Sequence, residues 1–159
     1  MELYMIIAII LVIYMTYMSI VRIKGIKPQQ TEVLHMPTNL NTMDGFAFER
    51  FVARLYERLG YKTIVTPESG DFGADVLLFK GDETVCIQCK RYKQPVGITA
   101  VQEVIGSLGY YKATRGMVVT NSTYTYAAIQ LARANHIELV DGIKLSELIR
   151  TSQKVVTIK

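Results

Sequence analysis

The sequence predicts an α/β fold, a mixed β-sheet flanked by helices and preceded by one transmembrane helix. Three observations lead there. Residues 3–21, "LYMIIAIILVIYMTYMSIV", carry no charge. Between residues 61 and 90 lie three apolar runs in succession, separated by short polar breaks. From residue 98 onward, helical and strand patterns alternate. Three consecutive strands make an antiparallel meander, and the later alternation adds parallel strands through helical crossovers. The result is a mixed sheet with helices on both faces.

At 159 residues, half of them hydrophobic, the chain has room for one domain and a short appendage. As a helix, residues 3–21 would span about 28 Å, close to the ~30 Å thickness of a hydrocarbon core. A cleavable signal peptide would need a basic leading region and an A-x-A-like site. Only Glu2 is charged before the segment, and no such site follows. An ordinary core helix fits less well, because no polar face emerges at any period. Residues 1–21 are therefore expected to be a retained transmembrane anchor. Arg22, Lys24 and Lys27 follow it and no Lys or Arg precedes it. That asymmetry predicts a single-pass protein of the cell membrane with its C-terminal domain in the cytoplasm. Residues 22–42 read as a linker with a short turn near Val33–Met36, 43–152 as the folded domain, and 153–159 as a tail.

Within the domain, "MDGFAFERFVARLYERLG" is a helix with Asp44 as N-cap and Gly60 at its close. Phe48, Phe51, Val52, Leu55, Tyr56 and Leu59 form its apolar stripe, with Arg50, Arg54 and Glu57 opposite. "YKTIVTP" is a strand, and the loop "ESGDFG" leads to the hairpin "ADVLLFKGDETVCIQCK". A helix from Ile98, a strand "GMVVT", a helix "TYAAIQLARANH", a strand "IELVDG" and a helix "KLSELIRT" complete the order.

The hairpin carries the chemistry. A two-residue turn at Gly81-Asp82 pairs Lys80 with Glu83 and Leu78 with Val85. Asp75 then falls opposite Gln88 on one face, with side-chain roots ~5 Å apart. Lys90 lies two residues further on the same face, and Leu77, Phe79 and Cys86 continue that face as core. A carboxylate and an ammonium in such a place are costly unless paired or bound to something. Glu49 borders the apolar stripe of the first helix and is expected to reach the same spot. In the helix from Ile98, the stripe Ile98, Val101, Ile105, Leu108 puts Gln102 at its border and turns Glu103 away. Carboxylates, amide oxygens and one lysine describe a hard-cation site.

Cys86 and Cys89 are the only cysteines. Three apart on a strand, they point to opposite faces, so they can share neither a metal nor a disulfide. His35 and His136 are isolated and complete no zinc site. Both thiols read as small core residues.

Asp75, twelve intervening residues, then Gln88-x-Lys90 resembles the D…(D/E/Q)xK signature of restriction-endonuclease-like nucleases, in the glutamine form of the Mrr-type restriction endonucleases. The resemblance runs from about Asp44 to Leu148. It includes "GFAFERFVARLYERLGY", "GDFGADV", "CIQCKRY", "VQEVIGSLGYYKATRGMVVTNS", Ala128 and Ala132, and "IELVDGIKL". It implies a restriction-endonuclease-like fold and a Mg²⁺-dependent DNA phosphodiesterase, with Mn²⁺ as a substitute ion. Glu49, Asp75 and Gln88 would hold the metal, and Lys90 would orient or help deprotonate the attacking water and stabilise the phosphorane. Arg91, Lys93 and Gln102 would contact nucleic acid, in keeping with a formal charge of +4. The expected partners are DNA, the membrane through residues 3–21 and, as an option, a second copy in a homodimer. Two function classes stay open. One is a membrane-anchored DNA endonuclease acting in restriction of foreign or modified DNA. The other is a membrane-tethered DNA-binding or scaffold module that kept the fold without turnover. The presence of Glu49, Asp75, Gln88 and Lys90 favours the enzyme.

Overall fold

The computed structural model describes residues 40–67 and 72–157, all within one compact unit. The expected anchor at 3–21, the turn near Val33–Met36 and most of the linker lie outside the described residues. Among the described residues, no helix is long and apolar enough to cross a membrane.

A short 3-10 turn at Leu40–Thr42 leads into α1 (Gly45–Arg58). Asp44 caps α1 as expected, its Oδ1 accepting from the Ala47 amide at 2.6 Å. The strands are β1 (Lys62–Val65), β2 (Val76–Lys80), β3 (Glu83–Lys90), β4 (Arg115–Thr120) and β5 (Glu138–Val140). Between them come α2 (Ile98–Tyr111) and α3 (Tyr126–Ala134), and α4 (Gly142–Thr157) closes the chain. The sheet order is β1-β2-β3-β4-β5, antiparallel through β3 and parallel from β3 to β5. This is the predicted meander with parallel additions. α1 and α4 pack on one face, α2 and α3 on the other.

The hairpin register is the one that the turn predicts: Lys80 pairs with Glu83, Leu78 with Val85 and Val76 with Ile87. Gly81 supplies the positive φ of +59° at the first turn position. On the α2 side, Leu77, Cys86 and Val118 pack with Ala100, Val101, Val104, Ala128 and Ala132. Burying this apolar surface holds α2 and α3 to the sheet.

Two boundaries differ from the sequence reading. The expected strand 137–142 is shorter, because Asp141 caps α4 by accepting from the Lys144 amide at 2.9 Å. Helix α4 also continues through residues 153–157, most of the expected tail.

Candidate active site

Asp75 immediately precedes β2 and is pinned by its backbone on both sides. Its amide donates to the Ile87 carbonyl at 2.8 Å, and its carbonyl accepts from the Thr66 amide at 2.9 Å. The side chain is buried, and its Oδ2 accepts from Gln88 Nε2 at 2.6 Å and from the Cys89 amide at 2.7 Å. Gln88 is 4% exposed, and its other amide atom, Oε1, is buried with no hydrogen-bond partner. A buried carbonyl-type oxygen without a donor is costly in a finished core. It is well suited to a cation.

Lys90 ends β3 beside this pair. Its Nζ lies 2.8 Å from Glu103 Oε2 on α2, and both side chains are largely covered. Burial pulls the Lys90 ammonium down, but Glu103, then Asp75 and Tyr92, outweigh it and hold its pKa above the ordinary value. The Lys90 backbone is fixed as well: its carbonyl accepts from Oγ1 of the fully buried Thr120, at 2.6 Å. Just beyond, Asn121 Oδ1 accepts from the Tyr92 amide at 2.9 Å. β3 and β4 are thus stitched together where the catalytic candidates sit.

Glu49 is half-buried on α1, which packs on the other face of the sheet. Burial, then Asp75 and Glu49, push the Cys89 thiol well above its usual range, while Lys90 acts in the opposite direction. The Cys89 side chain lies on the α1 face of β3, opposite to Gln88 and Lys90, as strand parity requires. Arg91 is half-buried and Lys93 exposed on the segment that leaves β3.

The α2 assignment needs correction. Gln102 is exposed, and Glu103 faces the site. The buried positions of α2 are Ala100, Val101, Val104 and Ser107, not the larger Ile98, which is 40% exposed. Small residues face inward because α2 lies close to α3, where Ala128 and Ala132 meet it. This rotates the inward stripe and brings Glu103 to its edge. Sequence reasoning also missed Thr120, whose signal is faint: a threonine ending an otherwise apolar strand.

Cys86 and Cys89 are free and buried. Burial raises the Cys86 thiol against the influence of its hydrogen bond with Ser107 on α2. Neutral, packed thiols on opposite faces are poor metal or redox groups. Among the described residues, no group of three or more His, Cys, Asp and Glu could hold a metal. Asp75 and the Gln88 oxygen that lacks a donor are, side by side, oxygen groups of the kind a hard cation takes.

The family model described as a restriction endonuclease, of the Mrr catalytic type, matches residues 40–149. The type IV methyl-directed restriction enzyme EcoKMrr of Escherichia coli (strain K12) is 33% identical in an alignment 119 residues long that covers 69% of this chain and 39% of that enzyme. The chain thus spans well under half of that relative's length. Among solved structures, the modification-dependent restriction endonuclease AspBHI superposes with a TM-score of 0.53 at 18% identity, over 70% of this chain and 34% of that one. MspJI restriction endonuclease, in complex with a 27-mer oligonucleotide, superposes with a TM-score of 0.52 at 21% identity, over 66% and 27%. These two likenesses concern the fold. With the sheet, the hairpin register and the Asp75, Gln88 and Lys90 cluster in place, the chain belongs to the Mrr-type restriction endonuclease family.

Proposed function

We propose that the chain is a divalent-metal-dependent DNA endonuclease, Mg²⁺ being the expected ion, that hydrolyses phosphodiester bonds in foreign or modified DNA. The observation that carries this reading is the buried Asp75–Gln88 pair, whose amide oxygen lacks a donor, beside the Lys90 ammonium at the carboxyl end of β3. Carboxyl ends of parallel strands are where α/β sheets bind ligands.

Asp75, Glu49 and Gln88 Oε1 would hold the cation, which when bound polarises a phosphoryl oxygen and acidifies water. The chain supplies the rest. The Cys89 amide and the Gln88 amide nitrogen keep the Asp75 carboxylate in one orientation. Lys90, held as an ammonium, offers charge to the phosphorane and a donor to the attacking water, which favours the electrostatic role over that of a base. Lys93 and Arg91, on the segment next to it, suit the phosphate backbone, as does the exposed Gln102. The 33% identical relative is described as methyl-directed, which supports modified DNA as the target class. Attachment to the membrane through residues 3–21, with the domain in the cytoplasm, belongs to the same proposal. It is supported by the uncharged segment and the basic residues after it.

The test is Mg²⁺-dependent nicking of methylated and unmethylated supercoiled plasmid by the full chain, with a chelator control. DNA binding without nicking, with Mg²⁺ or with Mn²⁺ in its place, would favour the tethered binding module. A reporter fused after Lys159 should register cytoplasm, and an external signal would overturn the orientation.

A further inference from the structure

We infer that Glu103 is a positioning residue of the site: its carboxylate sets the Lys90 ammonium, while its backbone lies against Gly73, two residues before Asp75. This rests on the nuclease reading above and adds to it a residue outside the D…QxK pattern.

Lysine brings a point charge on a flexible four-carbon stem, so an unheld ammonium samples many positions. In this chain the stem is anchored at both ends. Thr120 Oγ1 donates to the Lys90 carbonyl at 2.6 Å, and Glu103 Oε2 lies 2.8 Å from Nζ. The side chains are 20% and 36% exposed, so the pair is partly shielded from water.

The backbone of the same residue makes a second contact. Gly73 has φ +89°, and a Cβ there would lie 2.3 Å from the Glu103 carbonyl oxygen. The loop therefore presses directly on α2 two residues before Asp75, where only glycine fits. One residue of α2 thus touches both the approach to Asp75, at Gly73, and the Lys90 ammonium.

A purely architectural pair is the competing explanation, and the packing argues against it. Ala100, Val101, Val104 and Ser107 already bury α2 against the sheet and α3. An ion pair at the rim adds little to that docking. Its evident effect is on where the ammonium stands. Misplacing a reacting group by about 1 Å can cost ~100-fold in rate.

The experiment uses the full chain, steady-state plasmid nicking with Mg²⁺ and Mn²⁺ binding followed by electron paramagnetic resonance. Glu103→Gln should lower kcat by about tenfold or more with KM within about threefold. Glu103→Asp, which keeps the charge, should recover part of that loss. In a Lys90→Ala background, Glu103→Gln should cost nothing further, because its effect passes through Lys90. Mn²⁺ affinity should stay within about threefold, which separates Glu103 from the metal ligands. An unchanged kcat, an equal loss in the Lys90→Ala background, or a collapse of Mn²⁺ binding would each overturn the inference while wild-type cleavage stands. A wild-type chain that binds Mn²⁺ and DNA but never cleaves would overturn the nuclease reading itself, and the inference with it.

Discussion

The two ends of β3 and β4 both carry charges, yet they are built on opposite principles. At the amino end, Arg115 reaches Glu83 at 2.7 Å and Glu138 at 2.6 Å, and Lys144 meets Glu138 at 2.6 Å. The signs balance two against two, and the side chains remain substantially exposed. At the carboxyl end, Asp75 and Gln88 are buried, Lys90 meets Glu103, and Arg91 follows half-buried. Exposed, balanced pairs contribute little and cost little. A buried carboxylate beside an amide oxygen that lacks a donor is expensive to assemble, and the proposed cation would offset that expense. Charge alone therefore does not mark a site; a buried polar group that the fold leaves unsatisfied does.

The sharpest way to break this contrast is Lys90→Ala. If Lys90 acts on the developing phosphorane as proposed, losing its charge should reduce cleavage by about 100- to 1,000-fold. Folding should be unaffected, because the strand end is held by Thr120 through the Lys90 backbone, which alanine retains. Circular dichroism melts alongside a nicking assay check both halves. Unfolding of the variant would make Lys90 a structural partner of Glu103 instead.

Next come two substitutions at Asp75. Asp75→Asn retains an oxygen that can accept from the Cys89 amide, so the fold should survive while Mn²⁺ binding and cleavage fall together. Asp75→Ala removes the acceptor for both Gln88 Nε2 and the Cys89 amide. Two donors left in a buried place should cost about 1–3 kcal/mol of stability. Chemical denaturation of the pair of variants separates the ligand role from the scaffold role. Equal destabilisation by both would mean that the charge itself supports the fold.

Much of this was legible in the sequence, and the reason is local. The Gly81-Asp82 turn fixes the hairpin register, and strand parity then places Asp75 opposite Gln88 without any knowledge of the rest. Parity likewise separates Cys86 from Cys89. The meander and the parallel additions follow from element order. Glu103 was not legible, because the helical wheel was weighted toward bulky residues. Which face of α2 turns inward is decided by how closely α3 approaches, and Ala128 and Ala132 make that approach close. Asp141 illustrates the same limit. An acid after a strand reads equally as strand end or helix cap until the Lys144 amide is seen to donate to it.

The smallest effect is expected at the balanced end, and it completes the comparison. Arg115→Ala removes the guanidinium that bridges Glu83 and Glu138, while Lys144 stays with Glu138. With Arg115 nearly half exposed, solvent screens the loss, and stability should fall by at most about 1 kcal/mol. Cleavage should remain within about twofold. The same end predicts a pH signature. Burial alone would raise the Glu138 carboxyl, but Lys144 and then Arg115 outweigh it and hold it below its ordinary value of 4.5. A carboxyl lowered in the folded state contributes stability that is complete above its unfolded pKa. That contribution is lost as pH falls through the folded one, in the window below about pH 4.5. Glu138→Gln should therefore flatten the acid limb of the stability curve without touching the neutral plateau of activity. A cleavage loss in either variant as large as that of Lys90→Ala would mean that the two ends are coupled along β3 and β4, and that the balanced cluster is part of the working site.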